Sequence, residues 1–446
     1  MTLDTPELAH VLLALGLLLA AAHGFGYAMT RLRQPRVIGE IIGGLLLGPT
    51  VLGALAPGVQ SALFPSTGSV PAVLDAIYQL GLLFLMFTAG AEMRGFFHRR
   101  ERRALTSISI VGMLVPFAAG LAVVSALHLE SLHGSAATDP AFILVFGIAV
   151  AITSIPVISR IMLDLGILDT SFARIVLGVA VVEDVVLYVL FAIALGLVAQ
   201  GPGDVWGLPV ILGIAPSGAT SVVYHVVAEL GFLGAMMAGG PWLYRKLLHR
   251  YNPVKRGNDI GFQLVFVLAV SMIAMWLGVV PLLGAFVAGL VVSTSTGIRA
   301  ADARESIKAF SFAFFIPVYF ATVGLRLDLL SEFSPAFFVP FFLFACAVKS
   351  LSVYAGARLG GEDTSSSRNL AVALNARGGP GIVLASVALD ARIISASFYS
   401  SLVMLAVLTS LIAGSWLGRI VRSGRPIREE APEEGRGQDP PVVSAG

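Results

Sequence analysis

Two adjacent acids, Glu183-Asp184, stand in the middle of an apolar stretch, between Val179-Ala180-Val181-Val182 and Val185-Val186-Leu187. Ionisable groups at membrane depth are costly, and by default they mark ion or proton pathways. Neighbouring residues on a helix point about 100° apart. One acid can therefore meet a partner while the other faces a cavity. The natural partner is Lys349, midway along another apolar run, Phe344-Ala345-Cys346-Ala347-Val348-Lys349. Burial penalises a lone ammonium, whereas pairing with an acid keeps both groups charged. Such a set suits the binding and exchange of protons and small cations. Catalysis is the weaker reading. His98, His128, His133 and His249 fall at loops or segment ends, and no span carries a metal-ligand cluster. The chain is read as a transporter with no cofactor, not as an enzyme.

Two further apolar segments carry helix breakers. One reads Ala151-Ile152-Thr153-Ser154-Ile155-Pro156-Val157, the other Asn375-Ala376-Arg377-Gly378-Gly379-Pro380-Gly381-Ile382. Proline removes a donor and clashes with the preceding turn, and glycine permits unwinding. Broken helices at membrane depth occur where backbone lines a cavity, and their half-helix ends suit ions. Arg377 is placed to neutralise helix ends there. Glu40 and Glu92 read as interface salt bridges ahead of gating acids, and Gly48-Pro49 as the end of a segment.

The elements that position these groups follow from composition. Of 446 residues, 57% are hydrophobic and only 13% charged. Soluble domains carry roughly 25% charged residues, so this chain has no polar skin to cover a soluble core. A spanning helix needs roughly 20 mostly apolar residues. Thirteen such segments can be drawn, at about 7–30, 36–54, 71–93, 104–127, 139–162, 171–199, 219–244, 259–278, 281–296, 306–325, 335–359, 367–389 and 395–419. The first has no basic flank before it and reads as a span, not a signal peptide. The single Cys346 excludes disulfides, and the net charge of +2 gives no reason to expect nucleic acid. The partners implied are the lipid bilayer, a proton and a small cation.

Loop charges orient the spans. The odd-numbered connections and the C-terminal tail hold 25 of the 29 Lys and Arg, whereas the other side holds only Arg326 and Arg392. The basic side is cytoplasmic by the positive-inside rule. The chain is then a multi-pass protein of the cytoplasmic (inner) membrane, with the N-terminus outside and the C-terminus inside. The transmembrane domain covers 1–423, and the Pro-, Glu- and Gly-rich tail 424–446 reads as disordered.

With segment seven (about 219–244) as linker, two six-span halves (about 7–199 and 259–419) have inverted topology. The two broken segments are then the fifth of each half, which points to a transporter binding site. No residue-level repeat stands out. The symmetry rests on span counting and breaker position.

These residues resemble a known family, the monovalent cation/proton antiporters, in the branch of bacterial sodium/proton antiporters and potassium-efflux systems. Gln34-Pro35-Arg36-Val37-Ile38-Gly39-Glu40-Ile41-Ile42-Gly43-Gly44-Leu45-Leu46-Leu47-Gly48-Pro49 resembles its opening motif. Gly81-Leu82-Leu83-Phe84-Leu85-Met86-Phe87-Thr88-Ala89-Gly90-Ala91-Glu92 resembles its third-span motif. Thr153-Ser154, the acid pair, Phe320-Ala321-Thr322-Val323-Gly324-Leu325 and Arg377-Gly378 follow in order. The resemblance covers nearly all of residues 7–420. It implies an all-α fold of about thirteen transmembrane helices, with inverted repeats, crossed broken helices, a dimerisation domain and a mobile core, and hence a homodimer. It further implies that Asp184 binds the ion and proton and that Glu183 pairs with Lys349. Thr153 and Ser154 would belong to the unwound segment beside the site. One departure stands out: sodium/proton members usually carry two Asp, and this chain has Glu then Asp. Potassium-efflux members more often have Gln before the Asp and a nucleotide-binding domain, neither of which is present in this sequence.

The expected activity is antiport by competition. Asp184 binds a proton or a dehydrated monovalent cation, Na+ first and K+ or Li+ as alternatives. Oxygens of Thr153, Ser154 or freed carbonyls would complete the shell. Release of a second proton by Lys349 would make the exchange electrogenic. Potassium/proton antiport is the runner-up, and an organic-anion symporter on a similar fold the weaker rival.

Overall fold

A computed structural model describes residues 4–32, 34–92, 101–127, 129–168, 170–198, 206–214, 219–250, 258–295 and 298–428. Arg33, Arg94, Arg99, Arg100, Lys255, Arg256 and Arg436, which entered the charge count, lie outside these residues, as does the tail from 429.

The described chain is helical: α1 (Thr5–Arg31), α2 (Arg36–Leu47), α3 (Pro57–Leu63), α4 (Ser69–Glu92), α5 (Arg102–Leu127), α6 (Asp139–Ala151), α7 (Ile155–Asp164), α8 (Ser171–Gly196), α9 (Leu208–Ile211), α10 (Ala219–Arg250), α11 (Asp259–Trp276), α12 (Pro281–Ser293), α13 (Ile298–Phe310), α14 (Ile316–Leu325), α15 (Pro335–Leu359), α16 (Thr364–Ala373), α17 (Gly378–Asp390) and α18 (Ala396–Arg422). Eleven stretches are long and apolar enough to cross a membrane, and two shorter apolar helices, α6 and α12, complete the thirteen segments. Starts are set by side-chain caps. Asp4 and Glu7 form a reciprocal box at α1, and Thr138, Thr170 and Ser395 cap α6, α8 and α18. Each supplies an acceptor for amide groups that have no partner within the helix.

The spans sort into two packed groups. In one, α4 packs on α12, α2 on α14, α1 on α2 and α11 on α12. In the other, α5 packs on α15, α6 on α8, α16 on α15 and α17 on α18, with α7 touching α17. Helix α10 leans on both, against α8 and α12. Exchanging the halves of the sequence maps α2·α14 onto α12·α4 and leaves α5·α15 paired with itself. That is the contact pattern of an inverted repeat.

At the first group the repeat extends to single residues, which the sequence reading did not find. A Cβ on Gly44 would fall 1.8 Å from the Ala321 carbonyl oxygen, and one on Gly324 2.0 Å from that of Ile41. In the symmetry-related contact, a Cβ on Gly289 would fall 2.2 Å from the Phe87 oxygen, and one on Gly90 2.1 Å from that of Phe286. Gly39, Ile41 and Gly44 share the spacing of Gly284, Phe286 and Gly289, and Thr322-Val323-Gly324 matches Thr88-Ala89-Gly90. Lipid offers little hydrophobic drive for helix association, so close backbone contact through small residues supplies it. Two such contacts, each joining a helix of one half to a helix of the other, tie this group into a rigid panel.

The structure corrects several boundaries. Gly48-Pro49 does not end the second span: α2 stops at Leu47, and a π turn (Pro49–Gly53) carries the span on. Gly48 is extended there, and the close approach of α14 requires glycine, since a Cβ would meet the Leu325 oxygen at 2.7 Å. The seventh segment runs on to Arg250. The tail does not leave the protein at 424. Arg428 makes two 2.8 Å bonds to Glu362, and the Asn369 amide donates to the Ile427 carbonyl at 2.8 Å.

Gly324→Ala should destabilise the protein by about 1–3 kcal/mol, the usual cost of overpacking. Gly231→Ala, with nothing within 4 Å of its Cβ, should be neutral or stabilising by about 0.5–1 kcal/mol. Thermal unfolding of the two purified variants in detergent checks this. Equal melting temperatures would contradict it.

Candidate functional site

The site is built where the two broken spans meet. In the first, the helix stops at Ala151, residues 152–154 are unwound, and α7 begins at Ile155. Pro156 is therefore not a kink. It stands in the first turn of α7, where its missing N–H costs nothing. In the second, α16 stops at Ala373 and α17 starts at Gly378. The unwound residues are 374–377, not the Gly378-Gly379-Pro380 run that the breakers suggested. Gly378, Gly379 and Pro380 form the first turn of α17. Glycine is needed because a Cβ at 378 would lie 2.3 Å from a Val157 methyl carbon and 2.8 Å from Ser154 Oγ.

Unwinding leaves backbone groups without helical partners, and each break satisfies the other. The Thr153 hydroxyl donates to the Leu374 carbonyl at 2.6 Å, and the Ser154 N–H donates to the Ala376 carbonyl at 2.7 Å. Ser154 Oγ accepts from the N–H of Val157 at 3.3 Å and from that of Gly379 at 3.1 Å. One hydroxyl thus caps both half-helices, α7 and α17.

The cations go to the opposite ends. Lys349 Nζ donates to Glu183 Oε1 at 2.8 Å, to the Ala151 carbonyl at 2.5 Å and to the Gly112 carbonyl at 3.0 Å. Arg377 donates to the Val150 and Ala345 carbonyls at 2.9 Å each, and to Asn375 Oδ1 at 2.8 Å. Val150 and Ala151 are the last residues of α6, so both cations sit on its negative end. All four charged groups are within 1% of full burial: Glu183 0%, Lys349 0%, Asp184 1% and Arg377 1%.

The structure therefore brings together Thr153, Ser154, Glu183, Lys349, Arg377 and the Gly378–Pro380 turn. It separates the two acids in their bonding. Glu183 meets Lys349, whereas Asp184 Oδ1 and Glu183 Oε2 have no hydrogen-bond partner among the described residues. Sequence reasoning missed Asn375, which positions Arg377 and donates to Ser350 Oγ at 3.2 Å. It also missed the carbonyls of Gly112, Ala345, Val150 and Ala151, for which no side chain gives a signal. Glu40, which is buried, pairs with Arg36 at 3.2 Å, and Glu92 pairs with Lys308 at 2.7 Å.

Away from the crossing, Arg326 ties the two helix groups together at the end opposite the basic loops. It reaches Asp75 of α4 at 2.7 Å and Asp390 of α17 at 3.1 Å, and lies 4.5 Å from the centre of the Tyr78 ring. Beside it, the Tyr399 hydroxyl of α18 donates to the Val323 carbonyl of α14 at 3.1 Å.

Comparison with known proteins gives the context. The model of the sodium/hydrogen exchanger transmembrane family matches residues 15–423. The Na(+)/H(+) antiporter NhaS4 of Synechocystis sp. is 28% identical over 425 residues, covering 94% of this chain and 98% of that protein. Cation/H(+) antiporter 15 of Arabidopsis thaliana is 28% identical over 409 residues, 90% of this chain but 47% of its own length. The chain thus spans about half the length of that plant relative. In fold, it superimposes on the sodium proton antiporter MjNhaP1 from Methanocaldococcus jannaschii, solved at pH 8, with a TM-score of 0.62 at 15% identity over 93% of this chain and 98% of that one.

Glu183→Gln should destabilise the protein by about 3–5 kcal/mol, because it strips a buried ammonium of its counter-charge. Lys349→Met should do the same to Glu183. The double variant should recover most of the loss, since neither charge is then stranded. Melting temperatures of the three variants test the coupling. Additive losses in the double variant would refute it.

Proposed function

The chain belongs to the sodium/hydrogen exchanger family, and from that premise we propose that Asp184 is the carboxylate that carries a proton one way and a monovalent cation, Na+ first, the other. The protein is a multi-pass membrane antiporter exchanging protons for a monovalent cation. The assignment to Asp184 rests on one observation: a fully buried carboxylate with an unpartnered oxygen, next to a second acid already bonded to a lysine.

Charge arithmetic explains how one group can serve two cargoes. Ionised Glu183, Asp184, Lys349 and Arg377 cancel. A bound proton and a bound monovalent cation add the same single charge. The core therefore presents the same electrostatic cost to the membrane in either loaded state. With no cargo the four charges cancel in sum, but the buried Asp184 carboxylate has no counter-ion in contact with it, and that local penalty disfavours empty crossing and couples the two fluxes. Thr153 and Ser154 hydroxyls already serve the backbone of the breaks. Their part is to hold the crossing open beside Asp184, with the Thr153 oxygen still able to offer a lone pair. Lys349, bonded to three acceptors, serves as the fixed support of Glu183. That role favours one proton per cation over release of a second proton from Lys349.

Alternating access then requires the core group (α5–α8 and α15–α18) to move against the panel (α1, α2, α4, α11, α12 and α14). Arg326 would close the extracellular side by holding Asp390 of the core to Asp75 of the panel. The basic loops set the C-terminus in the cytoplasm and the N-terminus outside, in the cytoplasmic membrane. Exposed apolar residues on α1, among them Leu8, Leu12, Leu13 and Leu17, offer the panel face on which a second copy would dock to form a homodimer.

In proteoliposomes, addition of Na+, Li+, K+ or Rb+ in turn should drive proton movement with the wild-type chain, and Asp184→Asn should abolish it for every active ion. Retention of cation-driven proton movement by that variant would remove Asp184 from this role. For the gate, Arg326→Gln should speed deuterium uptake at residues 386–394 while leaving 374–378 unchanged. Unaltered uptake at 386–394 would mean that Arg326 closes nothing.

A further inference from the structure

On the basic face of the core, the start of α16 and the end of α18 meet the tail around a cavity of about 270 Å³. Arg368, Arg419 and Arg425 line it, together with Ser365, Asn369 and Trp416. The rim is built by the chain's own bonds. Trp416 Nε1 donates to Asn369 Oδ1 at 3.0 Å, and the same Asn369 holds the Ile427 carbonyl through its amide nitrogen at 2.8 Å. Ile427 packs on the apolar cluster of α7, α8, α16 and α18, and Arg428 forks onto the buried carboxylate of Glu362. Arg425 is thereby placed across the cavity from the helices.

The charges are unbalanced. None of the three lining arginines takes part in an ion pair among the described residues. Among the described residues the neighbouring acids are engaged elsewhere: Glu362 with Arg428, and Asp363 with the N–H groups of Ser365 and Ser366 at 2.6 and 3.1 Å. Three guanidinium groups around a small space repel one another unless an anion joins them. Their planar forks match the oxygens of a phosphate, which can take several N–H donors at once. The cavity is just below the roughly 300–1,000 Å³ of sites for drug-sized ligands. That suits a phosphate with a small substituent. It lies at the ends of two spans on the basic side of the chain, where basic pockets meet lipid headgroups and a tryptophan is at home.

We propose that this cavity binds a phosphate group, carried either on an anionic lipid headgroup or as free phosphate, and that binding clamps the tail to α16, the half-helix that leads into the crossing. The proposal does not depend on which residue carries the transported ion.

The full-length protein, purified and placed in nanodiscs, tests it. One arm compares phosphatidylglycerol with phosphatidylcholine and counts retained lipid by native mass spectrometry. The other titrates inorganic phosphate against the protein in phosphatidylcholine and follows the melting temperature. At least one arm should show saturable binding. It should weaken about tenfold or more in Arg368→Gln and again in the Arg368→Gln/Arg425→Gln pair, since each removes a charge-assisted contact. Arg103→Gln, an exposed arginine outside the cavity lining, should leave binding unchanged. A response to phosphatidylglycerol identifies the headgroup as the source, and a response to inorganic phosphate the free ion. No binding in either arm, or an equal loss in the Arg103 variant, overturns the proposal.

Discussion

Everything around the crossing follows from the need to balance buried charge. Two acids, two bases and four half-helix ends share a volume from which water is excluded. The effective penalty for each uncompensated ion in such a place is several kcal/mol. The structure meets it pairwise. Lys349 and Arg377 take the negative end of α6, and Ser154 Oγ takes the positive ends of α7 and α17. Glu183 is bonded to Lys349. After these pairings one ionisable group is left without a dedicated partner, and that is Asp184. A site whose one carboxylate without a partner of its own is Asp184 is suited to a single positive cargo there.

Such a centre works only if its surroundings are rigid where they should be and separable elsewhere. The glycine contacts of α2 with α14 and of α12 with α4 make the panel stiff. They do so twice, through Gly44 and Gly324 and then through Gly289 and Gly90, because the two halves repeat the same packing in opposite orientation. The core has its own seam in α5 against α15, where the Lys349 side chain bonds the Gly112 carbonyl. Between core and panel the helix contacts are fewer, and polar ties are among them, Arg326 with Asp390 and Tyr399 with the Val323 carbonyl. Polar ties at a seam can be remade in another register, whereas glycine-mediated backbone contact cannot be loosened without loss of fit.

The legible and illegible parts of the chain divide on the same physics. Glu183, Asp184 and Lys349 were visible in the sequence because a charge in an apolar run has few explanations. The thirteen spans were visible because lipid requires length and apolarity. The positions of the breaks were only half visible. Gly378-Gly379-Pro380 marks a place where a helix cannot pass undisturbed, but Pro and Gly are equally at home in a first turn, so the unwound residues fell before them, at 374–377. The partners of Arg377 were hidden because they are carbonyls, which every residue has. The panel repeat was hidden because it rests on a few small residues, Gly39/Gly44 and Gly284/Gly289, and small residues at such spacings are common in packed spanning helices. The docking of Ile427 and Arg428 was hidden because the Pro- and Glu-rich composition around them resembles that of a disordered tail.

The central claim is that one carboxylate serves both cargoes, so that proton and cation exclude each other. Solid-supported-membrane currents from reconstituted protein, recorded over a series of Na+ concentrations at several pH values, test it most directly. Competition at one titrating group predicts that the apparent dissociation constant for Na+ rises as pH falls, approaching about tenfold per pH unit, while the maximal response at saturating Na+ is kept. An apparent constant that stays flat across the pH series, with acid instead lowering the maximal response, would place proton and cation at separate sites and contradict the account.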